Sequence, residues 1–207
     1  MAFGQHWEWR GFGWVSDDLR ARIETLDLRF ASDQPLVDTY LWTRDGPANV
    51  KLRHDDLKFK RLLESDGDLE CWLEDEKEIH PFPLNLDVLE ALELALAITL
   101  PEGQRTPVGR GELAELLKIA HPPAKILLVE KYRRFFSLPT GVGEPVIIEL
   151  TDLIRPEPIN SIALEHADID AVRQALMQLS LAESGLRPLN YLQALSIWAV
   201  DDFISGS

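Results

Sequence analysis

The chain has 207 residues, 45% hydrophobic and 27% charged, which is enough to bury a full core and is ordinary for a globular protein. Its net charge of −14 at pH 7 disfavours non-specific binding to nucleic acid or to an anionic membrane, so a basic site inside it would be local and would stand out. Cys71 is the only cysteine, which excludes an intrachain disulfide and a cysteine-based zinc site and fits a reducing compartment.

The segment MAFGQHWEWR has no apolar h-region, so no signal peptide is expected and the default location is the cytoplasm. Within it, His6, Glu8 and Arg10 alternate with Trp7 and Trp9, which is the period of a β-strand. "SDDLRARIETL" reads as a helix with Ser16 as N-cap and Asp17 and Asp18 in its first turn. "PLVDTYLWT" reads as a strand closed by the turn "RDGP". "NVKLRHDDLKFKRLLE" gives two short strands around a polar His54-Asp55-Asp56 turn, and "GDLECWLEDE" admits either a strand or a loop. Leu84 to Leu100 and Gly111 to Ala120 carry apolar residues at helical spacing. Asp87, Glu90 and Glu93 make the first of these an amphipathic helix and not a membrane span.

"HPPA" breaks the second helix. "KILLVEKYRRFFSL" and "PVIIELTDL" then read as strands joined by the turn "PTGVGE", and "NSIALEH" as another. A helix is expected from about Asp168 to Ser184, and a last one from Pro188 to near Phe203. Strands at both ends with helices between them make an α+β chain, expected as a single domain with a helical insertion at about 84–120.

Several strands carry charge at their centres, sorted by parity. Lys51 and Arg53 share a face, as do Lys58 and Lys60, and Lys131 and Arg133. Glu149 shares a face with Ile147 and Thr151, and Glu165 with Ala163 and Ser161. A solvated outer face explains any one of these strands. It explains the set less well, because cations gather on some strands and carboxylates on others. Burying such charges is costly unless they pair or bind ions, and a closed barrel with a charged lumen is one solution. No nucleophile elbow or dinucleotide fingerprint occurs, and "TGVGEP" lacks a P-loop lysine and precedes a strand.

The order of these pieces resembles the CYTH superfamily of triphosphate tunnel metalloenzymes. The family's N-terminal ExExK strand is similar to His6-Trp7-Glu8-Trp9-Arg10, and its basic strands to those with Lys51, Arg53 and Lys60. Its Lys-x-Arg strand is similar to Lys131-Tyr132-Arg133, its acidic strand to "VIIEL" with Glu149, and its second Glu-x-Glu to Ala163-Leu164-Glu165. "RPLNYLQAL" resembles the closing basic-aromatic helix; residues of about 65–120 are less well accounted for.

The resemblance implies an eight-stranded antiparallel β-barrel flanked by helices, whose lumen holds a triphosphate or polyphosphate. It implies Lys51, Arg53, Lys60, Lys131 and Arg133 as substrate-binding residues and Glu8, Arg10 and Lys131 as catalytic ones. Glu8, Glu149 and Glu165, with His6 as a further candidate, would hold Mg2+ or Mn2+ through hard donors. His6 and Ala163 stand where the family pattern has glutamate, so the basic side is retained and the metal side is thinned. The expected activity is metal-dependent hydrolysis of inorganic triphosphate or an organic triphosphate, with no nucleic-acid or membrane partner. The alternatives are a non-catalytic polyphosphate- or nucleotide-binding module on the same barrel, and an α+β interaction protein with charged outer faces.

Overall fold

The computed structural model describes residues 4–74, 76–103, 107–141 and 143–201. Its strands are β1 (Gly4–Gly13), β2 (Asp27–Ala31), β3 (Leu36–Trp42), β4 (Ala48–Arg53), β5 (Asp56–Asp66), β6 (Leu69–Glu74), β7 (Ile79–Pro81), β8 (Lys125–Leu138), β9 (Val146–Arg155), β10 (Asn160–His166) and β11 (Arg187–Pro188). Its helices are α1 (Asp17–Glu24), α2 (Leu86–Leu96), α3 (Arg110–Ile119), α4 (Ile169–Gln178) and α5 (Tyr191–Asp201). Eight strands run in the order β10-β9-β8-β3-β4-β5-β6-β1, and β1 pairs back with β10. The fold is therefore α+β, with a closed eight-stranded antiparallel barrel, as expected. β2, β7 and β11 lie off this ring and pair with β8, β5 and β1.

The chain divides into two compact units. One comprises the residues up to Val37 with Leu62–Leu73 and Val129–Asn190; the other comprises Asp38–Arg61, Glu74–Leu128 and the segment from Tyr191. Each has its own core.

In the first unit, Trp9 of β1, Ile148 and Leu150 of β9 and Ile162 and Leu164 of β10 pack against Leu19 and Ile23 of α1 and Ala171, Val172 and Ala175 of α4, with Trp7 partly buried at the edge. The alternation in "HWEWR" thus places both tryptophans on the helix-covered face of β1. Ser16 caps α1 as expected, its Oγ accepting from the Leu19 N–H at 3.2 Å. The helix expected to reach Ser184 stops at Gln178, because Ser180 adopts a left-handed φ of 50° and a separate 3-10 turn, Leu181–Glu183, follows.

In the second unit, Val50 and Leu52 of β4 and Leu57 and Phe59 of β5 pack with Leu89, Leu92 and Leu96 of α2 and Leu113 and Leu117 of α3. α2 is shorter than the expected Leu84 to Leu100. Asn85 caps its start, accepting from the Val88 N–H at 3.0 Å, and Ala97 ends it in a left-handed conformation with φ 51°. The flanking residues are used elsewhere: Leu84 bridges Val108 and Thr99 bridges His121.

"GDLECWLEDE" supplies the strand β6. The last helix starts at Tyr191 and not at Pro188, because Arg187 and Pro188 pair with Phe12 and Gly11 of β1. Its expected end near Phe203, and residue 142 of the "PTGVGE" turn, lie outside the described residues. Among the described residues no helix is long and apolar enough to cross a membrane.

Gly11 shows how tightly the first core is built. A Cβ placed there would lie 2.6 Å from the Trp9 ring and 3.0 Å from Leu186 Cβ, and both neighbours are buried. Gly11→Ala is therefore expected to destabilise the protein by about 1–3 kcal/mol, the usual cost of overpacking, measured by denaturant unfolding. Gly67→Ala, with open space around its Cβ but φ of 63°, would carry only local backbone strain.

Candidate functional site

The first unit buries seven ionisable side chains on the strand faces turned away from α1 and α4. They are His6, Glu8 and Arg10 of β1, Lys131 and Arg133 of β8, Glu149 of β9 and Glu165 of β10. Strand register decides their neighbours. Glu8 stands opposite Glu165, and Arg10 opposite Ala163, which in turn stands opposite Glu149. The small side chain of Ala163 lets Arg10 reach across β10.

Arg10 is the hub of the cluster. Its Nε donates to Glu8 Oε1 at 2.7 Å, and its Nη1 lies 3.5 Å from Glu149 Oε1 and 3.4 Å from Ser161 Oγ. Its Nη2 is 4.0 Å from Glu165 Oε1. Glu149 also accepts from Arg133 Nη2 at 2.5 Å and from Thr151 Oγ1 at 2.7 Å. Burial alone would push the Glu149 carboxyl up, but the Arg133 and Arg10 charges, the Arg133 hydrogen bond and Lys131 together hold it well below the usual carboxylate range. Arg133 also lies over the Phe135 ring at 4.5 Å, and its backbone N–H donates to Ser32 Oγ at 2.8 Å. These contacts fix the strand position that aims its guanidinium.

His6, Glu8 and Glu165 form the group able to share an ion: one ligand atom from each lies within 4.8 Å of the others, and all three side chains are buried. His6 Nε2 is 3.9 Å from Glu8 Oε2. Ligands on one octahedral ion at about 2.1 Å stand roughly 3–4 Å apart, so a modest inward rotation would complete three positions. One imidazole and two carboxylates fit a divalent ion of intermediate hardness, such as manganese, better than they fit magnesium. Glu149, expected beside Glu8 and Glu165, is not in this group. Its oxygens face Arg133, Arg10 and Thr151 instead.

The second unit holds the other expected basic residues. On the face of β4 turned away from α2, Lys51 and Arg53 are buried, and Lys60 of β5 stands opposite Asn49. Lys51 Nζ lies 5.9 Å from the Tyr40 ring, which stacks on Tyr191 of α5 at 5.3 Å, and Lys60 Nζ is 4.0 Å from Glu74. Arg53 makes a two-pronged ion pair with Asp38, Nε and Nη2 each at 2.7 Å from its carboxylate oxygens. The sequence reading passed over Asp38, although it carries the signal used elsewhere: one charge at the centre of an apolar strand, "PLVDTYLWT". Among the described residues of this unit, the buried charged side chains are Lys51, Arg53, Lys60 and Asp38.

No protein-family profile matches the chain, and no curated protein sequence does. Solved structures do. A conserved hypothetical protein from Pyrococcus furiosus matches over 90% of this chain and 98% of its own, with 16% identity and a TM-score of 0.51. The PH1012 protein from Pyrococcus horikoshii matches over 89% and 97%, with 14% identity and a TM-score of 0.49. HpAC1 of Hippeastrum, an adenylyl-cyclase-like protein for which a dominant triphosphatase activity is described, matches over 87% and 88%, with 14% identity and a TM-score of 0.44. The likeness is one of fold.

The Glu149 carboxylate makes stability depend on acid. Its folded-state pKa is depressed, so the stabilisation is fully present above the ordinary glutamate range and is lost as pH falls through the lower, folded value. Glu149→Gln is expected to cost about 3–5 kcal/mol near pH 7, the range for breaking a buried pair. It should also flatten the loss of stability below the ordinary glutamate range. Denaturant melts of both proteins across that acid range check the sign.

Proposed function

We propose that the chain binds a triphosphate or linear polyphosphate and hydrolyses it with the help of a divalent cation, as a divergent member of the CYTH superfamily. The observation that carries the reading is the sorting of buried charge. The second unit buries cations inside a protein of net charge −14, and the first buries an imidazole and two carboxylates within ion-sharing distance. Lys51, Arg53 and Lys60 offer charge-assisted donors, and the many charges of a polyphosphate can use them. Lys51, Arg53, Lys60, Lys131 and Arg133 are proposed as the residues that hold the phosphates, with Asp38 orienting Arg53.

His6, Glu8 and Glu165 would hold Mn2+ or Mg2+, which when bound polarises a phosphoryl oxygen. Glu149 keeps the Arg133 and Arg10 guanidiniums aimed, and Arg10 and Lys131 offset charge that builds on the transferred phosphoryl group. In the balanced reaction, a water oxygen bonds to the terminal phosphorus and the bridging P–O bond breaks. The products are orthophosphate and the shortened chain. The cytoplasm, with its reducing poise, suits a protein with one unpaired cysteine.

A second reading keeps the binding and drops the hydrolysis. It is favoured by Ala163, which removes a carboxylate and leaves its place to the Arg10–Glu149 contact.

Phosphate release from tripolyphosphate, with Mn2+ and with Mg2+, tests both. Glu8→Gln is expected to lower metal-dependent turnover by at least about 100-fold, more than is typical for loss of a ligand's supporting partner. Arg133→Ala is expected to weaken tripolyphosphate binding about 10- to 100-fold, the worth of a charge-assisted bond. Arg134→Ala should have little effect, because Arg134 pairs with Glu24 and Asp152. Binding without any phosphate release in either metal selects the second reading. Equal losses from Arg133→Ala and Arg134→Ala would reduce the binding to diffuse surface attraction and remove both readings.

A further inference from the structure

The carboxylates that converge with His6 are already engaged by another cation. Arg10 donates through Nε to Glu8 Oε1 at 2.7 Å and holds Nη2 4.0 Å from Glu165 Oε1. Its third amine, Nη1, rests near Glu149 and Ser161. One guanidinium therefore spans three carboxylates, two of which belong to the group that could share an ion.

We infer that Arg10 is an exchangeable counter-cation: a divalent ion at His6, Glu8 and Glu165 competes with the Arg10–Glu8 and Arg10–Glu165 contacts, and loading the ion turns the guanidinium toward the phosphate oxygens. The inference rests on the metal-dependent reading above.

Three observations support it. A doubly charged ion bound by Glu8 and Glu165 would stand close to a buried guanidinium, and like charges in a poorly screened site repel strongly. Arg10 has a pivot, since its Nη1 contacts Glu149 and Ser161, and Glu149 is itself anchored by Arg133 and Thr151. Among the described residues, and with His6 in its neutral form, the buried charges of the first unit also cancel without any ion: Glu8, Glu149 and Glu165 against Arg10, Lys131 and Arg133. A divalent ion alone leaves this cluster with excess positive charge, and a polyanion alone leaves it with excess negative charge. Binding both brings the sum closer to balance than the polyanion alone, so each should favour the other.

The test is Mn2+ binding to the purified protein by titration calorimetry, with no phosphate present. Arg10→Gln should tighten Mn2+ at least about tenfold, because it removes the competing charge while keeping a polar side chain. Glu8→Gln should abolish binding. Tighter binding in Arg10→Gln supports the exchange. Unchanged or weaker binding there, with wild-type binding intact and Glu8→Gln inactive, overturns it and leaves the metal reading standing. If neither the wild type nor Arg10→Gln takes up Mn2+, the metal reading falls and the exchange falls with it.

Arg10→Gln could fail to fold, so a second measurement uses the wild type alone. The arginine Nε–Hε resonances are followed by NMR while Mg2+ is added, with the Arg10 signal assigned from backbone-linked correlations in the wild type. The Arg10 signal should move as the ion loads. An Arg10 signal unmoved at saturating Mg2+ would overturn the exchange on its own.

Discussion

Burying Arg10 among Glu8, Glu149 and Glu165 sets the terms for the rest of the first unit. None of the four is more than a few per cent exposed, and an unpaired charge there would be far too costly to keep. The geometry follows from that constraint. Glu8 must stand opposite Glu165 so that one fork can serve both, and the residue between Arg10 and Glu149 must be small. Arg133 and Thr151 then take up the remaining lone pairs of Glu149. A one-residue slip of β1 against β10 would send Trp7 and Trp9 among the carboxylates and His6, Glu8 and Arg10 into the apolar cluster under α4. The apolar core and the charged cluster thus enforce the same register from opposite faces.

The second unit solves a different problem. Asp38 and Arg53 form a two-pronged buried pair, and Lys51 and Lys60 are met in other ways. Lys51 rests near the face of Tyr40, where the ring quadrupole gives partial compensation, and Tyr191 and Trp198 of α5 extend that aromatic surface. Lys60 stands near the half-buried Glu74. Both are looser contacts than the two-pronged Asp38–Arg53 pair.

Strand parity was legible in the sequence because it is local: a period of two survives wherever one face meets an apolar core. It sorted Trp9 from Glu8, Leu52 from Lys51 and Phe59 from Lys60. What depended on distant partners was not legible. β2 is exposed along its whole length and exists because β8 offers it an edge, and β7 and β11 are short for the same reason. The ends of α2 and α4 are set by left-handed Ala97 and Ser180, residue types that carry no such signal. The division of the carboxylates was also hidden. Only register shows that Glu165 faces Glu8 while Glu149 faces the arginines, and three glutamates on three strands look alike until then.

Charge gives His6 and Ala163 a common meaning. Glutamate at positions 6 and 163 would give the first unit five buried carboxylates against the same three cations, an excess of two negative charges. One divalent ion cancels that excess. With His6 and Ala163 in place, the count is three against three and the cluster is neutral by itself. The two positions are therefore coupled: glutamate at either alone would leave one uncompensated buried charge, with or without the ion. With histidine and alanine there, the cluster balances its charge without a cation. On the metal-dependent reading proposed above, a divalent ion is then an addition to be balanced by an incoming anion and not part of the resting structure. On that reading His6 and Ala163 bear less on whether an ion is held than on when, and the proposed exchange at Arg10 sets that timing.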